Sequence, residues 1–244
     1  MPIIYLSPST QEKNMYVTGS GSEEYWMNRL ADAMIPYLNS CGIRYTRNTP
    51  EMTAGSSIRQ ANSGWYDFYL ALHSNAAAPE NYGNVRGIIA FYYPSSTKGQ
   101  RAAQIFVNNL RTIYPLPDQV VTRSTTSLGE VRDSKFPAVL LELGYHDNVD
   151  DATWIETHLP DIARNLVLSL TDFFDIPFIW PTDPWEGTVS VSGTLNLRSR
   201  PSTQSAVIAN IPNGASVQVY GRYENWYVVR YGDYVGYASA DYIN

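Results

Sequence analysis

From Ile3 onward, the apolar positions switch repeatedly between short unbroken runs and recurrences at threes and fours. Ile3–Leu6 is a run of the first kind and predicts a strand. Trp26, Met27, Leu30, Ala31, Met34, Tyr37 and Leu38 then recur at helical spacing, starting after Ser22-Glu23-Glu24 and stopping at Gly42. Pro36 lies inside that pattern and predicts a kink or a loosened last turn. A strand near Arg44–Arg47, a short helix near Ser56–Asn62 and the run Phe68–Leu72 follow. After them come an alternating aromatic stretch at Gly87–Tyr93, a helix from about Thr97 to Ile113, and a short strand at Val120–Arg123. A second buried run covers Ala138–Leu143, and a last helix runs from about Asp151 to Phe174. Such alternation predicts an α/β fold over residues 1–175, an open sheet sandwiched by helices.

The pattern then changes. Residues 176–187, with three prolines, cannot continue a helix and read as a stiff linker, whose Trp180 and Trp185 are expected to pack against a neighbouring domain. From Thr188 to Asn244 only short strands remain: Leu195–Arg198, Val207–Ala209, Ser216–Tyr220, Trp226–Val229 and Val235–Tyr237. Gly and Asn-Gly punctuate them, which predicts a small all-β barrel.

Composition narrows the function classes. The chain is 44% hydrophobic and 16% charged, an ordinary globular balance. No apolar run approaches the roughly 18 residues of a membrane span. The net charge is −6 with no basic stripe, which argues against nucleic acid as a partner. Residues 188–244 hold four arginines against three acids, so the tail carries +1 and the rest −7. Cys41 is the one cysteine, which excludes an internal disulfide or a cysteine zinc cluster; it reads as a buried, inert thiol. Met1–Leu6 lacks a basic segment followed by a long apolar core, so it reads as a first strand and no secretory signal.

Two of the apolar runs end on groups that chemistry can use. Phe68–Leu72 runs into His73-Ser74-Asn75-Ala76, and Ala138–Leu141 runs into Glu142-Leu143-Gly144-Tyr145-His146. Reactive groups in open α/β sheets collect past the carboxyl ends of strands, so an imidazole and a carboxylate are expected at one crevice. Together they suit a divalent metal and a general base. A carboxylate buried after so apolar a run would be costly unless Arg132 or a metal lay near it. Glu23 falls on the apolar stripe of the first helix and Glu24 about 100° off it, so Glu23 is the buried member of the pair. His158 reads as a surface residue with no role.

The tail's Leu195-Asn196-Leu197-Arg198-Ser199-Arg200-Pro201-Ser202, Ile211-Pro212-Asn213-Gly214, Trp226-Tyr227-Val228-Val229 and Gly236-Tyr237-Ala238 resemble a bacterial SH3-type (SH3b) domain. That resemblance implies binding of the cell wall, with Tyr223, Trp226, Tyr231 and Tyr234 as candidate contacts. Leu72-His73-Ser74-Asn75-Ala76, Arg86-Gly87 before an aromatic strand, and Leu141-Glu142-Leu143-Gly144-Tyr145 resemble the zinc-dependent N-acetylmuramoyl-L-alanine amidases of the Amidase_3 type, from residue 3 to about 175.

The resemblance implies a peptidoglycan hydrolase that cuts the amide between N-acetylmuramic acid and L-alanine with zinc-activated water. It assigns His73 and Glu23 to the metal and Glu142 to catalysis. The family's first histidine ligand is missing: the segment after the first strand reads Ser7-Pro8-Ser9-Thr10-Gln11. Gln11 supplying a weaker amide ligand, His146 filling the place, or no third ligand all stay open. The non-catalytic alternative is a wall-binding protein with a degenerate amidase fold, and a third is a metallopeptidase acting on the stem peptide. The implied partner is peptidoglycan. Without a signal segment, the enzyme is expected to be made in the cytoplasm and to act at the wall after release, as an endolysin or autolysin does.

Overall fold

The computed structural model describes all residues from Met1 to Asn244. In chain order its elements are β1 (Ile3–Pro8), α1 (Glu23–Ser40), β2 (Arg44–Arg47), α2 (Ala54–Ser63), β3 (Phe68–Asn75), β4 (Ile88–Tyr92), α3 (Thr97–Leu110), β5 (Val120–Ser124), α4 (Gly129–Arg132), β6 (Ala138–Tyr145) and α5 (Val149–Phe174). Strands β7 (Trp185–Thr188), β8 (Thr194–Arg198), β9 (Val207–Pro212), β10 (Ser216–Tyr223), β11 (Trp226–Tyr231) and β12 (Tyr234–Ser239) follow. By contact the chain divides into two compact units. One holds Ile3–Met34 and Tyr45–Phe173; the other holds Met1–Pro2, Ile35–Arg44 and Phe174–Asn244.

The first unit is built on a mixed six-stranded sheet in the order β2-β1-β3-β6-β4-β5. Strands β1, β3 and β6 are parallel neighbours, and β4 runs antiparallel to β6. Side chains alternate across a sheet, so Tyr5 and Ser7 of β1, Tyr69, Ala71 and His73 of β3, and Ala138, Leu140 and Glu142 of β6 share one face. Over the inner part of that face Tyr5, Ala61, Tyr66, Tyr69, Ala71, Val131, Ala138 and Leu140 form a closed core. The opposite face buries Phe68, whose ring meets Phe106 of α3 and Phe173 of α5. With both faces covered, the strands are apolar along their length until they reach the crevice.

Two departures from the sequence pattern concern prolines. Helix α1 continues through Pro36 to Ser40. The break falls instead in α5 at His158 (φ −112°, ψ 16°), two residues before Pro160, whose ring cannot coexist with a regular preceding turn. Helix α4 has four residues, too few to leave a period in the sequence.

The second unit carries an antiparallel six-stranded sheet in the order β7-β10-β11-β12-β8-β9. Its core is Val189, Leu195, Leu197, Ile211, Val217, Val219, Val229, Ala238 and Ile243. The linker tryptophans pack but are more open than the sequence suggests: Trp180 is 60% and Trp185 37% exposed, with Trp180 against the rings of Tyr37 and Phe178. Ile179 takes the buried position in this extended stretch, which turns the next side chain outward. Trp185 is the first residue of β7 and meets Tyr227 edge to face, with ring centroids 5.6 Å apart. Of the aromatics singled out in the tail, Tyr234 is exposed, while Tyr223, Trp226 and Tyr231 are half-buried. The Cys41 thiol is buried among this unit's residues and accepts a hydrogen bond from the Ile179 amide. Burial pushes that thiol up to about 11.

Candidate active site

Strands β3 and β6 bring the two reactive ends together, with His73 and Glu142 as direct neighbours in the parallel register. The segment between β1 and α1 folds back on itself through a Met15–Ser22 bridge, and the Glu23 amide donates to the Asn14 carbonyl at 2.8 Å. That closure sets the first turn of α1 over the crevice and delivers the Glu23 carboxylate, 1% exposed, to His73. Glu23 Oε1 lies 2.9 Å from His73 Nδ1. Its other oxygen accepts from Asn14 Nδ2 at 2.8 Å, and the Ser74 amide donates to Oε1 at 3.4 Å. Glu24, one step round the helix, is half-buried.

A third carboxylate completes the arrangement. Glu130, on α4, accepts from the far side of the same ring, with His73 Nε2 2.8 Å from Glu130 Oε2. Its Oε1 accepts from Ser7 Oγ at 2.7 Å and from Tyr69 OH at 2.8 Å. Sequence reasoning passed over this residue. A four-residue helix has no stripe to betray a buried position, and Ser127-Leu128-Gly129-Glu130 has the spacing of an ordinary helix-capping acid.

The electrostatics follow from this packing. Burial works against a charged His73, but the charges and hydrogen bonds of Glu130 and Glu23 prevail and hold the imidazole well above its ordinary value. Burial likewise opposes ionisation of Glu23 and Glu130, yet His73 and the surrounding donors keep both below the usual carboxylate range. Glu142 is the exception. Burial pushes it up to about 7; the His73 charge pulls it down, and those of Glu23 and Glu130 push it further up. Arg132, the partner that the sequence suggested, is exposed and pairs with Asp133 at 2.7 Å. Glu142 Oε2 is therefore buried with no hydrogen-bond partner, which in a native interior calls for an explanation such as a role in chemistry.

The other sequence candidates lie as follows. Gln11, exposed, reaches Glu23 Oε1 with its amide nitrogen at 3.3 Å and accepts from Asn14 Nδ2 at 3.0 Å. His146 is buried, stacks on Tyr16, and directs Nδ1 at the Ser74 carbonyl, 2.9 Å away. Ser74 follows His73 on the strand and so faces the other side. His158 is exposed and stacks on Trp154.

No group of three or more His, Cys, Asp or Glu side chains is arranged to hold a metal ion. The donor chemistry nevertheless fits zinc in two members. A carboxylate oxygen and an imidazole nitrogen 2.9 Å apart are both ordinary zinc ligands, whereas Gln11 turns its amide nitrogen to Glu23 and its oxygen, a weaker zinc donor, to Asn14.

Comparison with known proteins fits this geometry. A family model described as N-acetylmuramoyl-L-alanine amidase matches residues 10–171, and one described as bacterial SH3 domain matches residues 193–244. Among solved structures, the N-acetylmuramoyl-L-alanine amidase AmiC2 of Nostoc punctiforme superposes with a TM-score of 0.63 at 15% identity, covering 71% of this chain and 97% of that one. The N-acetylmuramoyl-L-alanine amidase from Clostridium difficile 630 gives 0.63 at 16% identity, covering 71% and 97%. The catalytic domain of the CD27L endolysin targeting Clostridia difficile gives 0.58 at 21% identity, covering 70% and 98%. No curated protein sequence matches the chain significantly.

Proposed function

The chain belongs to the N-acetylmuramoyl-L-alanine amidase family, and from that premise we propose that it hydrolyses the amide joining N-acetylmuramic acid to L-alanine in peptidoglycan, with its SH3b domain holding it to the wall. The observation that carries the reading is the unpartnered, buried Glu142 oxygen beside the Glu23–His73 pair at one sheet edge. Zinc, held by Glu23 and His73 with Gln11 as the weaker third ligand, would supply an acidified water and a polarised carbonyl. Glu142, as carboxylate, takes the proton from the attacking water as its oxygen bonds to the lactyl carbonyl carbon. It returns that proton to the alanine nitrogen as the C–N bond breaks, leaving a carboxylic acid and a free amine. A carboxyl displaced from 4.5 to about 7 suits both halves of that exchange.

Glu142→Gln is expected to abolish release of muropeptides and to leave wall binding intact. Lysis by that variant at the wild-type rate would sink the assignment. Mass spectrometry of digested peptidoglycan identifies the bond: new L-alanine amino termini with free muramic acid carboxylates support the amidase, and cleavage within the stem peptide supports a peptidase. A second reading, a wall-binding protein that has lost the reaction, is favoured by one observation: carboxylates engage both nitrogens of His73. About one zinc per purified chain supports the enzyme, and a site that zinc cannot fill supports the binder.

A further inference from the structure

Glu130 is the one acid of the cluster that neither the family resemblance nor the proposed reaction uses. It is 5% exposed, and three donors point at it: Ser7 Oγ and Tyr69 OH at Oε1, and the His73 ring at Oε2. These donors come from β1 and from two positions of β3, all on one face of the sheet, while the acid hangs from α4 above them. Val131, next to Glu130, belongs to the core over that face, so the acid is anchored from its own side as well. A carboxylate with both oxygens engaged this way has little freedom to turn.

The two ends of the imidazole differ in what surrounds them. Nε2 faces Glu130, shut in by Ser7, Tyr69 and the core. Nδ1 faces Glu23, itself buried, whose other neighbours are the Ser74 amide and two side chains nearer solvent, Gln11, exposed, and Asn14, half-buried. A metal that keeps one position for water needs the more open side. Histidines that ligate metals almost always donate their other ring proton to an acceptor that fixes tautomer and orientation.

We propose that Glu130 is the positioning residue of the metal site: by accepting the Nε2 proton of His73 it fixes the ring as the Nε2–H tautomer, with Nδ1 presented beside Glu23 as the ligating nitrogen. The proposal rests on the zinc-dependent reading above. Glu130 touches neither substrate nor metal; it acts through His73. In a chain whose first family ligand is absent, orientation of the remaining histidine carries more of the metal affinity.

The test is zinc titration of the full-length protein against a chromophoric chelator, for the wild type and for Glu130→Gln, whose neutral amide keeps the shape. Glu130→Gln is expected to weaken zinc binding 10- to 100-fold and to lower kcat with KM little changed. Binding equal to wild type overturns the positioning role. Should the variant fail to fold, nitrogen-detected NMR of histidine-labelled, zinc-loaded wild type decides alone. The His73 proton on Nε2 supports the proposal, and a proton on Nδ1 with zinc at Nε2 overturns it. If the wild type itself takes up no zinc, the zinc-dependent reading fails and this proposal falls with it. If the wild type binds zinc and Glu130→Gln binds it equally, only the positioning role is lost.

Discussion

Glu142 lies in the carboxyl half of β6, after four apolar residues, and nothing in the fold compensates its charge in full. Its carboxyl is displaced from 4.5 to about 7. Between those values the folded chain holds a proton that the unfolded chain has released, so stability falls as pH rises through the window and the loss is complete above about pH 7. Glu142→Gln removes the ionisation. In EDTA, urea unfolding should show the variant more stable than wild type at pH 8, by at most on the order of 3 kcal/mol, with the difference vanishing towards pH 4. A difference that does not change with pH would contradict the buried, unpartnered state of this group. His73 and Glu142 were legible beforehand because each ends an unbroken apolar run, and Glu23 because it falls on a helical apolar stripe, places where an ionisable side chain stands out. Glu130 was not, because four residues make no period and its partners, Ser7, Tyr69 and His73, are remote in sequence.

At the scale of elements, the join between β6, β4 and α5 rests on one acid. Asp151 is fully buried. It takes a hydrogen bond from Arg86 Nε at 2.9 Å, from the Gly87 and Tyr145 amides at 3.0 Å, and from Tyr114 OH. Gly144, at φ 93°, lies against it, and a Cβ there would come 3.2 Å from the Asp151 side chain. Asp151→Ala leaves the Tyr114 hydroxyl and two backbone amides without their acceptor, while Arg86 keeps Asp150 at 2.9 Å, and is expected to cost about 3 kcal/mol, measured by urea unfolding. A loss below about 1 kcal/mol would mean that water replaces the carboxylate. Nothing in the sequence announced this join, since Asp151 reads as an ordinary acid in the first turn of a helix. The strands and helices themselves were legible almost throughout, yet the reversal of β4 was not. Alternation along a strand marks which side chains are buried and says nothing of the strand's direction.

For the whole molecule, the two sheets have separate cores, and the antiparallel one lies wholly beyond the break in hydrophobic pattern after residue 175. No helix is long and apolar enough to cross a membrane. Leu197 is fully buried in the core of the antiparallel sheet. Leu197→Ala should destabilise that core by about 2–5 kcal/mol, read by calorimetry, and reduce retention on purified walls. Hydrolysis of a small soluble muropeptide should continue, and its loss would mean that the two cores do not act separately. The reversal of β4 has a different bearing. Both ends of the connection over residues 76–87 return to the sheet edge that carries His73 and Glu142, since β3 finishes there and β4 starts there beside Leu143. Asp147 holds that connection through the amides of Ala77 and Gly83, and Asn148 holds the Gly83 carbonyl. Lengthening such a connection costs little entropy and leaves every strand in register. The fold therefore carries, at the rim of the edge that holds His73 and Glu142, a segment whose length can change without disturbing the sheet beneath it.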